Sequence, residues 1–233
     1  MRERVLNLLS AGAAQGLVER LQQEFQAKTG ARLNATFGAV GAMRAKLEAG
    51  APCDVIILSD ALIDALAADG RVLAGTRSGL GRVRTGIAAR AGEALPQIAT
   101  GPSLLRALRS ATGIYLPDPK LATAGIHFVK VLEQLGVGDE VAPRIRAYPN
   151  GATAMRELAR ANEPGLMGCT QITEIKNTAG VALAGPLPPE FELITVYTAA
   201  TCAHANAPDV AAELIACLAG PESRRAREDA GFE

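Results

Sequence analysis

The residues best placed for chemistry lie where short apolar runs give way to helical patterns. Ser10, Ala11, Gly12, Ala13 and Ala14 follow the apolar residues 5–9 and precede Leu17, Val18, Leu21 and Phe25, which recur at helical spacing. A turn of such small residues lets a ligand descend onto backbone N–H groups at the mouth of the helix. Those groups lack intrahelical partners and sit at the positive end of the helix dipole, so the turn is suited to holding an anion. Taken alone it reads first as a plain strand-to-helix turn. The same grammar returns at Gly38, Ala39, Val40, Gly41 and Ala42, and in polar form at Ser59 and Asp60. It returns again from Asp118 to Gly125, where Thr123 is an N-cap or a ligand donor, and at Pro149, Asn150 and Gly151 ahead of a helical pattern over 152–161.

These turns need a regular scaffold. Strands are predicted at 5–9, 31–37 and 53–58, the last an almost unbroken apolar run of the kind buried on both faces of a parallel sheet. Helical patterns follow each of them, so the first 70 residues read as repeated β/α units. In such sheets ligands gather at the carboxyl ends of the strands, where the turns lie. From Gly79 the regularity breaks: a longer strand over 82–90 carries Arg82, Arg84 and Arg90 and runs into the loop-rich stretch 92–102. A second lobe is predicted to begin there, with a helix at 103–110 and strands at 113–116, 144–148, 166–170 and 181–184. A connector at 185–189 and a β-prone run at 192–202 return the chain to the first lobe, and helices at 209–218 and 221–229 complete it.

Composition narrows the partners. The 233 residues carry 24 Lys plus Arg against 24 Asp plus Glu, so there is no block of charge for a nucleic acid or a membrane surface. Aromatic residues are 3% and Trp is absent, which argues against stacking platforms. No apolar run approaches the ~18 residues of a membrane span, and the chain is read as soluble. Arg2 and Arg4 precede only residues 5–9, interrupted by Asn7, short of the roughly 7–15 apolar residues of a signal h-region. Cys53, Cys169, Cys202 and Cys217 are widely spaced and there is no CxxC, so with only two histidines no metal site is expected. They read as small buried hydrophobes, with a disulfide unreadable from spacing.

The order of elements, the stretch Glu48-Ala49-Gly50-Ala51-Pro52-Cys53-Asp54 with its following strand, the spacing to Asp118-Pro119 and Ala124-Gly125, and the terminal Gly220-Pro221-Glu222 together resemble the molybdate-binding branch of type II periplasmic substrate-binding proteins. The resemblance covers essentially the whole chain. It implies an α/β fold of two Rossmann-like lobes, 1–82 with 195–233 and 83–194, joined by hinge strands near 82–90 and 192–202 and closing on an anion without metal or other cofactor. It also implies an ABC permease as partner, a monomer and a periplasmic location, with a cytoplasmic one left open because no signal peptide is read in the chain.

The implied ligand set is Ser10, Ala11, Gly12, Ala13, Gly38, Ala39, Val40, Ser59, Thr123, Ala124, Asn150, Gly151 and Gln171. Molybdate binders of this family present serine hydroxyls where Ala13 and Val40 stand, and a tyrosine near the place of Gln171. Losing two charge-assisted bonds, roughly 1.5–3 kcal/mol each, would weaken an oxyanion by orders of magnitude. Backbone donors with an apolar or amide lining suit a small carboxylate instead. Two other functions are open: an isomerase of the aconitate isomerase kind, for which Glu174, His127 or Asp118 would move the proton, and a ligand-sensing domain, which no helix-turn-helix accompanies.

Overall fold

Strand and helix alternate along residues 4–233, the part described in the computed structural model; Arg2 lies outside it. The chain runs β1 (Arg4–Ala11), a 3-10 turn (Gly12–Ala14), α1 (Gln15–Thr29), β2 (Ala31–Gly38), α2 (Val40–Glu48), β3 (Val55–Ser59) and α3 (Asp60–Ala68). The long β4 (Ser78–Arg90) leads to α4 (Gly101–Ser110), β5 (Gly113–Pro117), α5 (Thr123–Gln134), α6 (Gly138–Val141) and β6 (Ile145–Tyr148). Then come α7 (Gly151–Arg160), β7 (Leu166–Gln171), α8 (Ile172–Lys176) and β8 (Val181–Pro186), followed by β9 (Ile194–Thr201), α9 (Pro208–Ala219) and α10 (Arg224–Ala230). The chain forms two compact units, one of residues up to Arg82 with Thr195–Glu233, the other Val83–Ile194. The chain passes between them inside β4 and inside β9.

In the first unit the strand order is β2-β1-β3-β9. β1 is parallel to β2 and β3, with Ala11 opposite Gly38 and Ser10 opposite Ile57, so the three strands finish side by side. That register brings the first three small-residue turns to one end of the sheet. Val55 to Leu58 are fully buried, as a strand covered on both faces requires. α1 buries Leu17, Val18, Leu21 and Phe25, packs against α9 and α10, and stops at Gly30, whose φ of 65° is the left-handed C-cap. Asp54, wholly buried, accepts hydrogen bonds from the Asn7 N–H at 2.7 Å and the Asn206 N–H at 2.6 Å, tying the approach to β3 to β1 and to the loop after β9.

In the second unit the order is β8-β4-β7-β5-β6, with β5 parallel to β6 and β7 and β4 antiparallel to both β7 and β8. Neighbouring residues go to opposite faces: Ile87 and Ile114 join one apolar cluster with Phe128 and Leu104, whereas Ala88 and Tyr115 join another with Met155 and Leu158. Both faces of this sheet are therefore covered.

Several boundaries differ from the sequence reading. The arginine-bearing strand begins at Ser78 rather than 82, and the connector after 184 gives its first two residues to β8. The last helix starts at Arg224 because Pro221–Ser223 form a 3-10 turn. α6 and α8 are too short for a helical period to register. Among the described residues no helix is long and apolar enough to cross a membrane.

Candidate functional site

In the first unit, Ser10 is fully buried and its hydroxyl donates to the Ala11 carbonyl at 3.0 Å. The proton of Ser10 is thus committed to its own turn. Gly12, Ala13 and Ala14 wind the 3-10 turn that opens α1, with no side-chain cap and no acidic residue in its first turn. α2 has the same character: Ala39 is its N-cap without a side-chain bond, Val40 is its first residue, and its first turn holds no acid. A Cβ on Gly38 would stand 2.7 Å from Met43 Cε, the far end of a flexible side chain that can turn aside.

The third turn is different. Ser59 caps α3 in extended conformation without using its hydroxyl on the helix, and Asp60 follows at the first helical position. Asp60 Oδ1 accepts from the Thr198 hydroxyl at 2.6 Å and from Arg77 at 3.2 Å. The Thr198 bond, with Arg77 beside it, holds the Asp60 carboxyl below the usual range. The positive end of α3 therefore already faces a carboxylate.

In the second unit β5 pairs with β6 up to Pro117 opposite Tyr148, and the turns after β5, β6 and β7 share one end of the sheet. Asp118 Oδ1 accepts the Lys120 and Leu121 N–H groups at 2.7 and 3.0 Å, and Ala122 N–H donates to the Asp118 carbonyl at 3.1 Å. This turn ends one residue earlier than the sequence suggested, so the N-cap of α5 is Ala122 and Thr123 is already helical. Ala124 is buried behind it. A Cβ on Gly125 would lie 2.4 Å from the Pro117 carbonyl oxygen, a backbone atom that cannot give way.

The N-terminus of α7 is occupied by the chain itself. Asn150 Oδ1 accepts from Thr153 N–H at 2.8 Å as a side-chain cap. The buried Glu174 carboxylate accepts from Ala152 N–H at 3.2 Å and from the Thr170 hydroxyl, with further bonds from the Gly151 and Gln171 N–H groups. Burial pushes the Glu174 carboxyl up, and these donors oppose that rise. A Cβ on Gly151 would fall 2.0 Å from Glu174 Oε2 and from Thr170 Oγ1. Gly151 is thus the seat of an internal carboxylate, and its neighbour Ala152 is a donor already in use.

Gln171 is buried as the N-cap of α8, opposite Thr85 of β4. Thr85 and Thr173 are 1% and 3% exposed, and among the described residues their hydroxyl oxygens have no hydrogen-bond partner. Both were missed in the sequence; for Thr85 the signal was the alternation along 82–85, which sends Arg82 and Arg84 outward and Val83 and Thr85 inward, whereas Thr173 lies on a five-residue helix with no period to read. Of the candidate proton carriers, His127 Nε2 is 2.8 Å from the Phe191 carbonyl, Asp118 holds its turn and Glu174 caps α7. Among the described residues no cluster of His, Cys, Asp and Glu fits a metal ion.

Repeated strand-to-helix turns lie at the carboxyl ends of the parallel strands of two mixed sheets, the α/β arrangement in which ligands gather at the strand ends. Residues 6–233 match the family of bacterial extracellular solute-binding proteins, and the chain belongs to it. The fold is that of the periplasmic molybdate-binding protein of Azotobacter vinelandii, at 21% identity over 98% of both chains with a TM-score of 0.81. The sulfate-binding protein of Mycobacterium tuberculosis is similar at 15% identity over 99% of this chain and 86% of that one, with a TM-score of 0.75. An aconitate isomerase from Pseudomonas sp is 26% identical over 98% of this chain and 87% of its own length.

Proposed function

We propose that this protein captures a small organic anion bearing carboxylates and passes it to an ABC-type permease, on the outer side of the cytoplasmic membrane. The observation that carries the reading is the pair of helix N-termini in the first unit: neither has a side-chain cap or an acid in its first turn, and the buried residues around them include Ala11, Ala13, Ala39 and Val40, with the Ser10 hydroxyl turned to the Ala11 carbonyl. Backbone donors set in an apolar lining suit a carboxylate joined to a carbon skeleton. Membership of the solute-binding family supports delivery to a permease. Ser59 is the further candidate contact in the first unit; in the second unit, taken by itself, the candidates are Thr123, Ala124 and Gln171, and the backbone at Asn150 and Gly151 contributes less because Asn150 Oδ1 and the Gly151 N–H are engaged within the chain.

A thermal-shift screen of molybdate, tungstate, sulfate and a series of di- and tricarboxylates tests it. A carboxylate at a hundred times its Kd should stabilise the native state by about 2.7 kcal/mol, raising the midpoint by about 5–10 °C. A strong shift with molybdate or tungstate and none with carboxylates would overturn the proposal. The aconitate isomerase likeness, spanning nearly the whole chain, favours one second reading, a proton shift in a tricarboxylate. Incubation with cis-aconitate followed by NMR decides it: appearance of the trans isomer supports turnover, and an unchanged spectrum removes it.

A further inference from the structure

Cys53 and Cys202 are 149 residues apart in sequence, yet Cys202 Sγ donates to Cys53 Sγ at 3.3 Å and Cys53 Sγ donates to the Val55 carbonyl at 3.1 Å. The backbone fixes this meeting. β3 and β9 are antiparallel with Val55 opposite Thr201, and the Cys202 N–H continues the ladder to the Asp54 carbonyl at 2.9 Å. Val72 bridges Cys202 on its other side. Cys53 and Cys202 form part of the wall of a surface cavity of about 480 Å³ that is also lined by Gly50, Arg71, His204 and Asn206. A cavity of this size admits a small molecule. All of these residues belong to the first unit, away from the turns described above. Cys169 is wholly buried in β7, and Cys217 lies on α9.

We propose that Cys53 and Cys202 are a redox-active pair that closes to a disulfide when a small disulfide oxidant enters this cavity. A disulfide spans ~2.05 Å, so the sulfurs must approach by about 1.2 Å from their present 3.3 Å, a movement within reach of side-chain rotation. The hydrogen bond to Cys53, together with burial, pushes the Cys202 thiol up and keeps it protonated. Cys53, the more exposed of the two at 7% against 3%, makes the first attack. Cys53 gives its proton to water, and its thiolate displaces one sulfur of the oxidant R–S–S–R; that S–S bond breaks, and one R–S⁻ leaves with the electron pair and takes up a proton. Cys202 then gives its proton to water and attacks the Cys53 sulfur of the mixed disulfide, expelling the second R–S⁻. Two protein thiols are oxidised by two electrons, and the oxidant is reduced to two thiols.

The bond would join the two separate stretches that build the first unit, closing a loop that contains the whole of the second. Constraint of so long a loop acts on the unfolded chain, so the oxidised protein should melt several degrees higher than the reduced one.

The test is to incubate the full chain with glutathione disulfide or with a phosphine reductant, then map peptides by mass without reduction. The expected result is a loss of about 2 Da and a single linked pair, Cys53 with Cys202. Cys53→Ser and Cys202→Ser should each abolish the link, while their reduced melting curves, compared with the reduced parent, show whether they fold. The mapping on the unaltered chain stands whether or not those variants fold. Four alkylatable thiols after oxidation, a glutathione adduct that persists without closure, or a link through Cys169 or Cys217 would each overturn the proposal.

Discussion

Gly151 illustrates how a single missing side chain decides local chemistry. The space its Cβ would fill holds Glu174 Oε2 and Thr170 Oγ1, both within 2.0 Å of that point. Gly151→Ala must therefore push a buried carboxylate off the N-terminus of α7, and a loss of about 2 kcal/mol in urea unfolding is expected. Asp60 gives a pH signature. Its carboxyl is held below the usual value of 3.8 by Thr198 and Arg77, so its contribution to stability is present above that pH and fades as pH falls through the lowered value. Asp60→Asn should therefore melt below the parent at neutral pH, with the gap closing as the pH drops under about 3.8. A gap that widened in acid would show that these bonds do not govern the carboxyl. Neither effect is legible in sequence. Gly151 stands in a Pro-Asn-Gly turn that signals a helix start, but nothing in the spacing says that Glu174, 23 residues on, will claim its N–H groups.

Elements were legible where their pattern was long. The helix after Gly16 shows a full apolar stripe, and the run 53–58 shows the continuous hydrophobicity of a doubly covered strand; the helix stands, and the strand stands at Val55–Ser59, with Cys53 and Asp54 ahead of it. What escaped was set by tertiary partners or by brevity: α8 has five residues, and Thr123 lost its cap position because Asp118 winds the preceding loop around its own carboxylate. α4 carries a clear local start signal. Thr100 Oγ1 accepts from Ser103 N–H while Ser103 Oγ accepts from Thr100 N–H, a reciprocal box at the helix entry. Thr100→Ala should cost about 1 kcal/mol, measured by the denaturation midpoint at unchanged slope. Of the candidate site, the turns could be read from small residues and glycine; their occupancy could not, since it depends on side chains brought from distant strands.

At the scale of the molecule the two units are built unequally. Val83–Ile194 is one continuous stretch with apolar clusters on both faces of its sheet, whereas the other unit needs residues from both ends of the chain. Expressed alone, 83–194 is expected to give a cooperative thermal transition with native-like circular dichroism. Residues 1–82 alone lack β9, which pairs along β3, and α9 and α10, which cover α1, so they should show no such transition. A cooperative transition from the shorter piece would refute this asymmetry. The same split sets a timetable during synthesis. β1, β2 and β3 leave the ribosome early, but the strand that completes their sheet is made only after the entire second unit has emerged. Until then the open edge of β3 is a nascent-chain liability, and the interval in which a chaperone has most to shield is fixed by gene order within the chain rather than by the stability of the finished fold.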